Sequence, residues 1–409
     1  MDVLLLPDLL SQKICQKTLL SQASRQRSSS PGLIHMSFEL VFVHLLNDSS
    51  GSPRVLKETI GAVHSQKIRS KLYLGSCGDG VLSHCDIPIS RYWYRRMEHR
   101  ILTLFTYFFS QAVLFCKLLA DRTIDKNAVI YVNTLLPFGA ALYGRLTGRR
   151  VIYHVHEISI NPAPLKYLLT TIARMTSSLN IYVSDAHMKA LPIPDIPARR
   201  VYNALDVGFF AKAGTSAYAH NHDGYFNILM IASLRDYKGV PELLSLADAL
   251  NDQTDIRFDL VVNDDQKTIE RYFACRTLPS NIAVHPRTTD TTAYYGRASL
   301  VLNLSRVDQW VETFGMTILE SMAFGIPVIV PPVGGPIELV EDGVQGFMVD
   351  SRGIDSLSEK VLHLYRNKNL VAHMSVECRK RAAEFSSRRF AENICRLISE
   401  SRLETRKNG

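Results

Sequence analysis

Residues 312–330 of the chain read ETFGMTILESMAFGIPVIV. A polar loop opens the stretch, and Gly315 permits a tight backbone turn just before a helix that we expect over 317–324. A short apolar strand, 327–330, follows that helix. Because loop, helix and strand in this order form one repeating unit of a parallel sheet, the stretch predicts an α/β fold.

The same alternation of short apolar runs and helical segments extends along the chain from residue 38. It occurs twice, and it stops between residues 203 and 224, where small and polar residues dominate. Apolar runs of about five residues that alternate with helices are typical of parallel sheets wound on both faces. We therefore predict two doubly wound, Rossmann-like domains that face each other across a cleft. The predicted strands are 39–45, 71–74, 128–132, 150–154, 179–183, 200–202, 226–231, 258–262, 282–284, 300–304, 327–330 and 346–349, and the predicted helices include 53–66, 137–147, 240–250 and 317–324.

The predicted organisation has four parts. Residues 1–35 form a poorly ordered N-terminal extension, because the polar, linker-like run 24–32 precedes the first strand and the start of the chain lacks the features of a signal peptide. An N-terminal domain covers 36–205 and a C-terminal domain covers 206–385. Residues 386–409 are expected to form a C-terminal helix that packs back on the N-terminal domain.

Composition restricts the class of protein. Hydrophobic residues make up 46% and charged residues 21% of the 409 residues, which is ordinary for a soluble enzyme. The net charge of +8 fits an anionic substrate or an anionic membrane surface, and no nucleic-acid-binding motif accompanies it. The seven cysteines are scattered without a Cys-x-x-Cys pair, which is typical of reduced thiols in a cytoplasmic protein.

The loop and helix quoted above also suit an anionic ligand. Free N–H groups in the first helical turn after Gly315, together with the helix dipole, favour a phosphate. Glu320 lies about one turn into the helix, where its carboxylate can accept two hydrogen bonds from a vicinal diol such as ribose. Glu312 precedes the helix, so the two carboxylates can address opposite ends of one extended ligand.

The stretch resembles the Glu-x7-Glu motif of retaining GT-B glycosyltransferases, in particular glycosyltransferase family 4, also called glycosyl transferases group 1. The Gly334-Gly335-Pro336-Ile337-Glu338 loop matches as well, and the resemblance is most specific over 226–350. It implies the GT-B fold, with the C-terminal domain as the donor domain and the N-terminal domain as the acceptor domain. It further implies that Glu320 holds the nucleotide ribose and that Glu312 approaches the donor sugar. The sugar and phosphate would also contact the backbone of Phe314, Gly315, Met316 and Thr317. Gly334 and Gly335 would approach the cleft, and the alternative is that they form a plain turn.

A cationic loop follows the first strand of the second domain, in Arg235-Asp236-Tyr237-Lys238-Gly239. The resemblance implies that an arginine and a lysine here stabilise a departing diphosphate, and it assigns those roles to Arg235 and Lys238. The chain departs from the family at Ala232-Ser233, where many members carry Gly-Arg. No Asp-x-Asp triplet is present, so we expect no metal and no cofactor beyond the nucleotide-sugar co-substrate.

Two features of the first domain complete the predicted site. Strand alternation places His154 and His156 on one face, and the resemblance implies that His156, at the strand's carboxyl end, contacts the donor sugar. Glu157 and His154, at the same strand end, are further candidates for the cleft, and the resemblance implies that Ser184 lines it as well. Gly51 is the one glycine of a loop, 47–54, that in the family lies over diphosphate and acceptor, and an ordinary helix cap is the alternative.

An apolar run, 101–119, follows the basic and aromatic segment RYWYRRMEHR at 91–100. Three interpretations remain open: a buried core helix, a helix that rests on an anionic membrane, and a membrane span, which would break the sheet. The resemblance favours contact with the inner-membrane surface, because many relatives use lipid-linked acceptors.

We therefore predict a cytoplasmic enzyme, peripheral on the cytoplasmic membrane face, that transfers a hexose-type residue from a nucleoside diphosphate sugar to a glycan or lipid-linked acceptor. The anomeric configuration would be retained, in the synthesis of a cell-surface polysaccharide such as lipopolysaccharide. The alternatives are a catalytically inactive sugar-nucleotide-binding or scaffold subunit of a polysaccharide assembly complex, and a GT-B sugar-nucleotide epimerase. No Gly-x-Gly-x-x-Gly follows a first strand, which disfavours a nicotinamide-dependent oxidoreductase.

Overall fold

The computed structural model describes residues 38–48, 50–76 and 78–403. The expected N-terminal extension, 1–35, lies outside the described residues, as do Cys15 and Cys77.

The first half of the described chain is built on a parallel sheet of seven strands in the order β3-β2-β1-β4-β5-β6-β7. All six residues of β1 are buried, as expected of a strand covered on both faces. The strand order reverses between β1 and β4, which leaves a crevice beyond their carboxyl ends. The strands are β1 Glu39–His44, β2 Arg69–Gly75, β3 Ile89–Tyr92, β4 Val129–Asn133, β5 Arg150–Val155, β6 Leu179–Tyr182 and β7 Ala198–Arg200.

The second half repeats the plan with a parallel sheet of six strands in the order β10-β9-β8-β11-β12-β13. Here the order reverses between β8 and β11. The strands are β8 Phe226–Ala232, β9 Ile256–Val262, β10 Ile282–His285, β11 Leu300–Leu302, β12 Val328–Val330 and β13 Gly346–Met348.

Two strands differ from the sequence-based expectation. β3 was not predicted, because its sequence ISRY is short, polar and only partly buried at the edge of the sheet. The strand expected at 200–202 lies two residues earlier, at Ala198–Arg200, where the edge position again leaves charged side chains exposed.

The helices connect the parallel strands and cover the sheets. Helices α2, α3 and α4 lie side by side in the first half, and α10 packs against α13 in the second. The helices are α1 Gly51–Ser65, α2 Arg100–Ala120, α3 Phe138–Leu146, α4 Ala163–Thr176, α5 Asp185–Ala190, α6 Val207–Thr215, α7 Val240–Ala249, α8 Gln266–Phe273, α9 Thr292–Tyr295, α10 Met316–Ala323, α11 Pro336–Leu339, α12 Ile354–Arg366, α13 Lys368–Ala383 and α14 Ser387–Leu403.

The C-terminal helix returns to the first half of the chain, where α14 packs against α1. The hydroxyl oxygen of its first residue, Ser387, lies within hydrogen-bond distance of two acceptors, the Leu205 carbonyl (2.6 Å) and a Glu58 carboxylate oxygen (3.1 Å). The chain therefore crosses between its two halves twice.

Further polar contacts join the halves. The Ser184 hydroxyl, at the end of β6, donates to the Thr313 carbonyl at 2.6 Å. The Glu338 carboxylate accepts from the backbone N–H groups of Asp185 and Ala186, at 3.0 and 2.6 Å, and so occupies the amino end of α5. Ser184 therefore contributes to the junction of the halves, through the loop that precedes α10.

Candidate functional site

A cleft of about 640 Å³ lies where the carboxyl ends of both sheets face each other. Its walls include the residues that follow β1 and β4 in one half and β8 and β11 in the other, which are the two points where strand order reverses. Residues at the carboxyl ends of β5, β9 and β10 complete the walls. Ligands of doubly wound sheets bind at such points. The residues that line this cleft include His44, Gly51, Arg54, His156, Glu157, Lys238, Trp310, Glu312, Phe314, Gly315, Met316, Thr317 and Glu320.

Lys238 and Glu312 form an ion pair inside this cleft, with Nζ 2.7 Å from Oε2. Both side chains are about four-fifths buried, and the Ser305 hydroxyl donates to the same carboxylate oxygen at 3.3 Å. The Lys238 ammonium also lies 4.9 Å from the centre of the Trp310 indole. The buried indole N–H of Trp310 has no hydrogen-bond partner among the described residues. The structure thus brings two predicted site residues together as an ion pair. The indole N–H of Trp310, a donor without a partner among the described residues, belongs to the same cleft.

Glu320 lies on the buried face of α10 and projects into the cleft. The Tyr295 hydroxyl donates to its Oε2 at 2.7 Å, and the Arg54 guanidinium, from the first half, donates to its Oε1 at 3.2 Å. Burial raises the pKa of the Glu320 carboxyl, while Arg54 and the Tyr295 hydroxyl oppose that rise. Neither Arg54 nor Tyr295 was predicted, because both are far from Glu320 in sequence.

The amino end of α10 opens into the cleft, as the glycine turn predicts. Gly315 has φ = +106°, a left-handed conformation that favours glycine, and a Cβ there would lie 2.6 Å from Ile318 Cδ1. Phe314 is buried in the core beneath the loop, while Met316 and Thr317 begin the helix and line the cleft. The first turn of this helix lines the same cleft as the ion pair, and its backbone N–H groups can receive a phosphate.

Gly334 and Gly335 lie behind the site rather than on its wall. A Cβ on Gly334 would be 2.5 Å from the Glu312 carbonyl oxygen, and one on Gly335 would be 2.4 Å from Phe314 Cα. The Gly335 N–H also donates to that Glu312 carbonyl, at 2.8 Å. The glycines therefore allow the loop at 312–315 to pack closely against them, and they do not line the cleft themselves.

Arg235 is not brought to the cleft. Its side chain is exposed, its guanidinium donates to the neighbouring Leu234 carbonyl at 3.0 Å, and it is absent from the cleft wall. The backbone makes a tight turn between Ser233 and Arg235, where the Arg235 N–H donates to the Ser233 carbonyl at 2.7 Å. Of the predicted cationic pair, Lys238 alone lies at the site in this structure.

His156 lies on the cleft wall of the first half, held by Asn133. The two amide hydrogens of Asn133 point at the Ser52 carbonyl and His44 Nδ1, each 3.1 Å away. Its Oδ1 is therefore left to accept the Nε2–H of His156 at 3.0 Å. Burial, together with the neighbouring histidines, lowers the pKa of His156 well below its ordinary value, so the ring is neutral at pH 7. Sequence reasoning missed Asn133, whose only signal was its position at the carboxyl end of β4.

Glu157 follows His156 and also faces the cleft. Its carboxylate accepts the backbone N–H groups of Leu135 (3.2 Å) and His156 (3.2 Å). Burial raises the pKa of the Glu157 carboxyl to about 7, against those hydrogen bonds. Buried His154, by contrast, has its Nδ1 2.8 Å from the Tyr131 hydroxyl and is part of the core.

Gly51 is the first residue of α1 and lines the cleft next to Arg54. A Cβ on Gly51 would meet nothing within 4 Å, so close packing against protein is not the reason for a glycine there. Ser49, in the same loop, lies outside the described residues. Among the described residues, no group of three or more His, Cys, Asp or Glu side chains is arranged to hold a metal ion.

Two doubly wound domains with a shared cleft at their carboxyl ends define the GT-B class of fold. The predicted fold class is confirmed by solved structures: Anabaena HepE in complex with UDP-glucose matches with a TM-score of 0.71 at 20% identity, over 88% of this chain and 99% of that one. Residues 217–382 match the family described as glycosyl transferases group 1, which confirms the expected resemblance over that part of the chain.

Curated relatives match shorter stretches. Sucrose-phosphate synthase 4 of Arabidopsis thaliana is 37% identical over 70 residues, which are 17% of this chain and 6% of the synthase. An uncharacterized glycosyltransferase of Methanocaldococcus jannaschii is 28% identical over 182 residues, 44% of this chain and 50% of that protein. The chain thus spans half or less of the length of these relatives.

Proposed function

We propose that the protein transfers a hexose-type sugar from a nucleoside diphosphate sugar to a glycan or lipid-linked acceptor, with retention of configuration. The observation that carries the proposal is the convergence, in one cleft, of a buried carboxylate, a helix amino end and an ammonium group. Glu320 supplies the carboxylate, the first turn of α10 supplies the helix amino end, and Lys238 supplies the ammonium group. They match the ribose, the diphosphate and the departing charge of such a donor.

The donor would lie along the second half of the cleft. Its ribose diol would bond to the Glu320 carboxylate, whose Oε1 also accepts a hydrogen bond from the Arg54 guanidinium. The cleft continues past Glu320 along the ends of β9 and β10, where Val262, Asn263 and Thr288 leave room for a base. Similar structures hold UDP or UDP-glucose, which makes UDP-sugars the first donors to test.

The transfer itself breaks the bond between the anomeric carbon and the diphosphate oxygen, and the electron pair leaves with the diphosphate. Lys238 and the N–H groups at the start of α10 would stabilise that charge in a partly buried site. The acceptor hydroxyl oxygen would bond to the anomeric carbon on the face that the diphosphate leaves, and the diphosphate would take up its proton. Glu312 would hold a sugar hydroxyl while keeping Lys238 in place.

His156 would line the reaction centre from the first half. Since its Nε2–H is committed to Asn133 and the ring is neutral, its free Nδ1 is an acceptor rather than a charged donor. A neutral ring avoids a second cation opposite Lys238 and suits contact with a sugar hydroxyl. The proposed role in cell-surface polysaccharide synthesis, on the cytoplasmic side, rests on the acceptor class alone.

The test is a donor and acceptor screen. Purified protein is incubated with UDP-, GDP- and ADP-hexoses and an acceptor panel of oligosaccharides and polyprenyl-linked sugars, and nucleotide release and the anomeric signal of the product are followed by NMR. The proposal expects release that depends on acceptor and a retained anomeric configuration. Inversion would overturn the stereochemical part. Nucleotide binding without turnover across the panel would favour an inactive subunit, and a changed sugar without acceptor would favour an epimerase.

A further inference from the structure

The outward face of α2 is apolar along its whole length. Exposed positions recur at the spacing of one helix face, and Phe105, the most exposed, has 78% of its surface in contact with solvent. From Ile101 to Leu119 this face extends for about 27 Å, at 1.5 Å per residue. The large exposed side chains are Ile101, Leu102, Phe105, Phe108, Phe109 and Leu119.

The polarity of α2 is inverted relative to a helix that faces water. Its polar side chains point inward and are satisfied there: Gln111 Oε1 accepts the Gly139 N–H at 3.2 Å, and the Tyr107 hydroxyl donates to the Leu136 carbonyl at 2.7 Å. By length and a mean hydropathy of 1.6, α2 is the one described helix that could cross a membrane. It nevertheless connects β3 to β4 of one sheet, and Leu114 and Leu118 are buried in the core, so it is held parallel to the protein surface.

A row of basic residues borders this face. The segment between β3 and α2 runs antiparallel along the helix, since Lys117 donates to the Arg91 carbonyl and Thr106 donates to the Arg95 carbonyl at 2.7 Å. From the end of β3 to the start of α2, the chain presents the exposed side chains of Arg91, Arg95, Arg96 and Arg100. Its exposed Trp93 meets Phe109 edge to face, with ring centres 5.3 Å apart.

The charge around this apolar face favours an anionic membrane over a second copy of the chain as its binding partner. Between residues 91 and 120 Glu98 is the only acidic residue, while five arginines and lysines are present. A second copy of the chain would bring this basic border against another basic border, which is unfavourable. An anionic bilayer complements both parts, since phosphates meet the arginines and acyl chains receive the apolar side chains.

We propose that the outward face of α2, with Leu142 and Leu146 of the adjacent α3, docks in the plane of an anionic membrane surface. Both leucines are exposed, and α3 packs beside α2. The inference does not depend on the donor chemistry, because the face is formed by helices of the first half and shares no residue with the proposed donor contacts. It would also hold the cleft close to a lipid-linked acceptor.

The experiment is co-sedimentation of the full chain with vesicles of phosphatidylcholine alone and of phosphatidylcholine with 30% phosphatidylglycerol. We expect binding to the anionic vesicles to exceed binding to the neutral ones at least tenfold. The double substitution Phe105→Ser/Phe109→Ser should abolish binding, and Arg95→Gln/Arg96→Gln should remove the preference for anionic lipid. Val376→Ser, at an exposed position of α13, is the matched control and should bind as the wild type does.

The same variants are also tested by thermal unfolding, which reports on the fold, and by nucleotide binding, which reports on the cleft. Both properties should be unchanged in the variants. Failure of the wild type to bind either vesicle would overturn the membrane proposal and leave the donor proposal untouched. A wild-type dimer by light scattering that Phe105→Ser/Phe109→Ser converts to a monomer, without vesicle binding, would also overturn it and assign the face to self-association.

Discussion

Arg54 and Glu320 meet across the cleft, with Arg54 Nη1 3.2 Å from Glu320 Oε1, although 266 residues separate them. The arginine is 44% exposed and the carboxylate is 93% buried, so the pair is intermediate between a surface and an interior ion pair. We expect a double-mutant cycle of Arg54→Met and Glu320→Gln in urea to give a coupling free energy of about 1 to 2 kcal/mol. Arg54→Met alone should also raise the pKa of Glu320.

Arg199→Met is the matched control for that cycle. Arg199 is exposed, and its guanidinium contacts the carbonyl of its own neighbour, Ala198. It should show no coupling to Glu320→Gln. A coupling within error of zero for Arg54 as well would contradict the cross-cleft contact.

Lys238 is expected to matter more for the chemical step than for donor binding. Lys238→Ala removes the ammonium 2.7 Å from Glu312, and with it the charge opposite the departing diphosphate. Loss of one such stabilising group typically lowers kcat by about 10²- to 10³-fold. Steady-state kinetics with the identified donor measure the change. Lys360→Ala, on α12 and outside the cleft wall, is the control, and an unaltered kcat in Lys238→Ala would refute the assignment.

Alanine substitutions at Gly334 and Gly343 distinguish the cost of backbone strain from the cost of a steric clash. Gly334 and Gly343 have nearly equal φ angles, +82° and +80°, but a Cβ would meet the Glu312 carbonyl oxygen at 2.5 Å on Gly334 and nothing within 4 Å on Gly343. Gly343→Ala should therefore cost only the left-handed strain, about 1 to 2 kcal/mol of unfolding free energy. Gly334→Ala should cost more and should also weaken nucleotide binding, since it displaces the Glu312 loop. Equal effects on both measurements would show that packing behind the loop is unimportant.

Glu157 should give the protein an unusual pH dependence. Its pKa in the folded protein is raised from 4.5 to about 7, so between these values the folded state keeps a proton that the unfolded state has lost. Stability contributed by this group is therefore present below about pH 4.5 and falls as pH rises towards 7. At about 1.4 kcal/mol per pH unit the loss is at most about 3.5 kcal/mol.

Glu157→Gln cannot ionise and should lack this decline. The stability of the variant relative to the wild type should therefore increase between pH 5 and pH 7, as measured by urea unfolding at each pH. The buried histidines have lowered pKa values, so their contribution to stability changes with pH in the opposite direction. Because both proteins contain them, this contribution cancels in the difference between variant and wild type. A constant difference across this range would show that Glu157 is not a protonated buried acid.

Much of this arrangement could be predicted from local sequence. Strand periodicity located twelve strands, and the Gly315 turn placed a helix amino end and Glu320 at one ligand site. These features depend on neighbours in the chain, where hydrophobic pattern and glycine conformation determine structure.

The residues that sequence reasoning missed depend on contacts between distant segments. Arg54 reaches Glu320 only because the two sheets face each other, and Asn133 holds His156 only because β4 and β5 are neighbours. Arg235 was placed by analogy with a motif, but its side chain is exposed and lies off the cleft wall. The exposed face of α2 has the composition of a core helix, so only the tertiary structure distinguishes the two.

The proposed function depends above all on the binding of a nucleoside diphosphate sugar in the cleft around Glu320. The most direct measurement is the thermal shift of wild type, Glu320→Ala and the exposed control Glu359→Ala with UDP-, GDP- and ADP-sugars. A true donor at 100 times its Kd should stabilise wild type and control by about 2.7 kcal/mol and should leave Glu320→Ala unshifted. No shift of the wild type with any nucleotide sugar, or an equal shift in Glu320→Ala, would contradict this proposal.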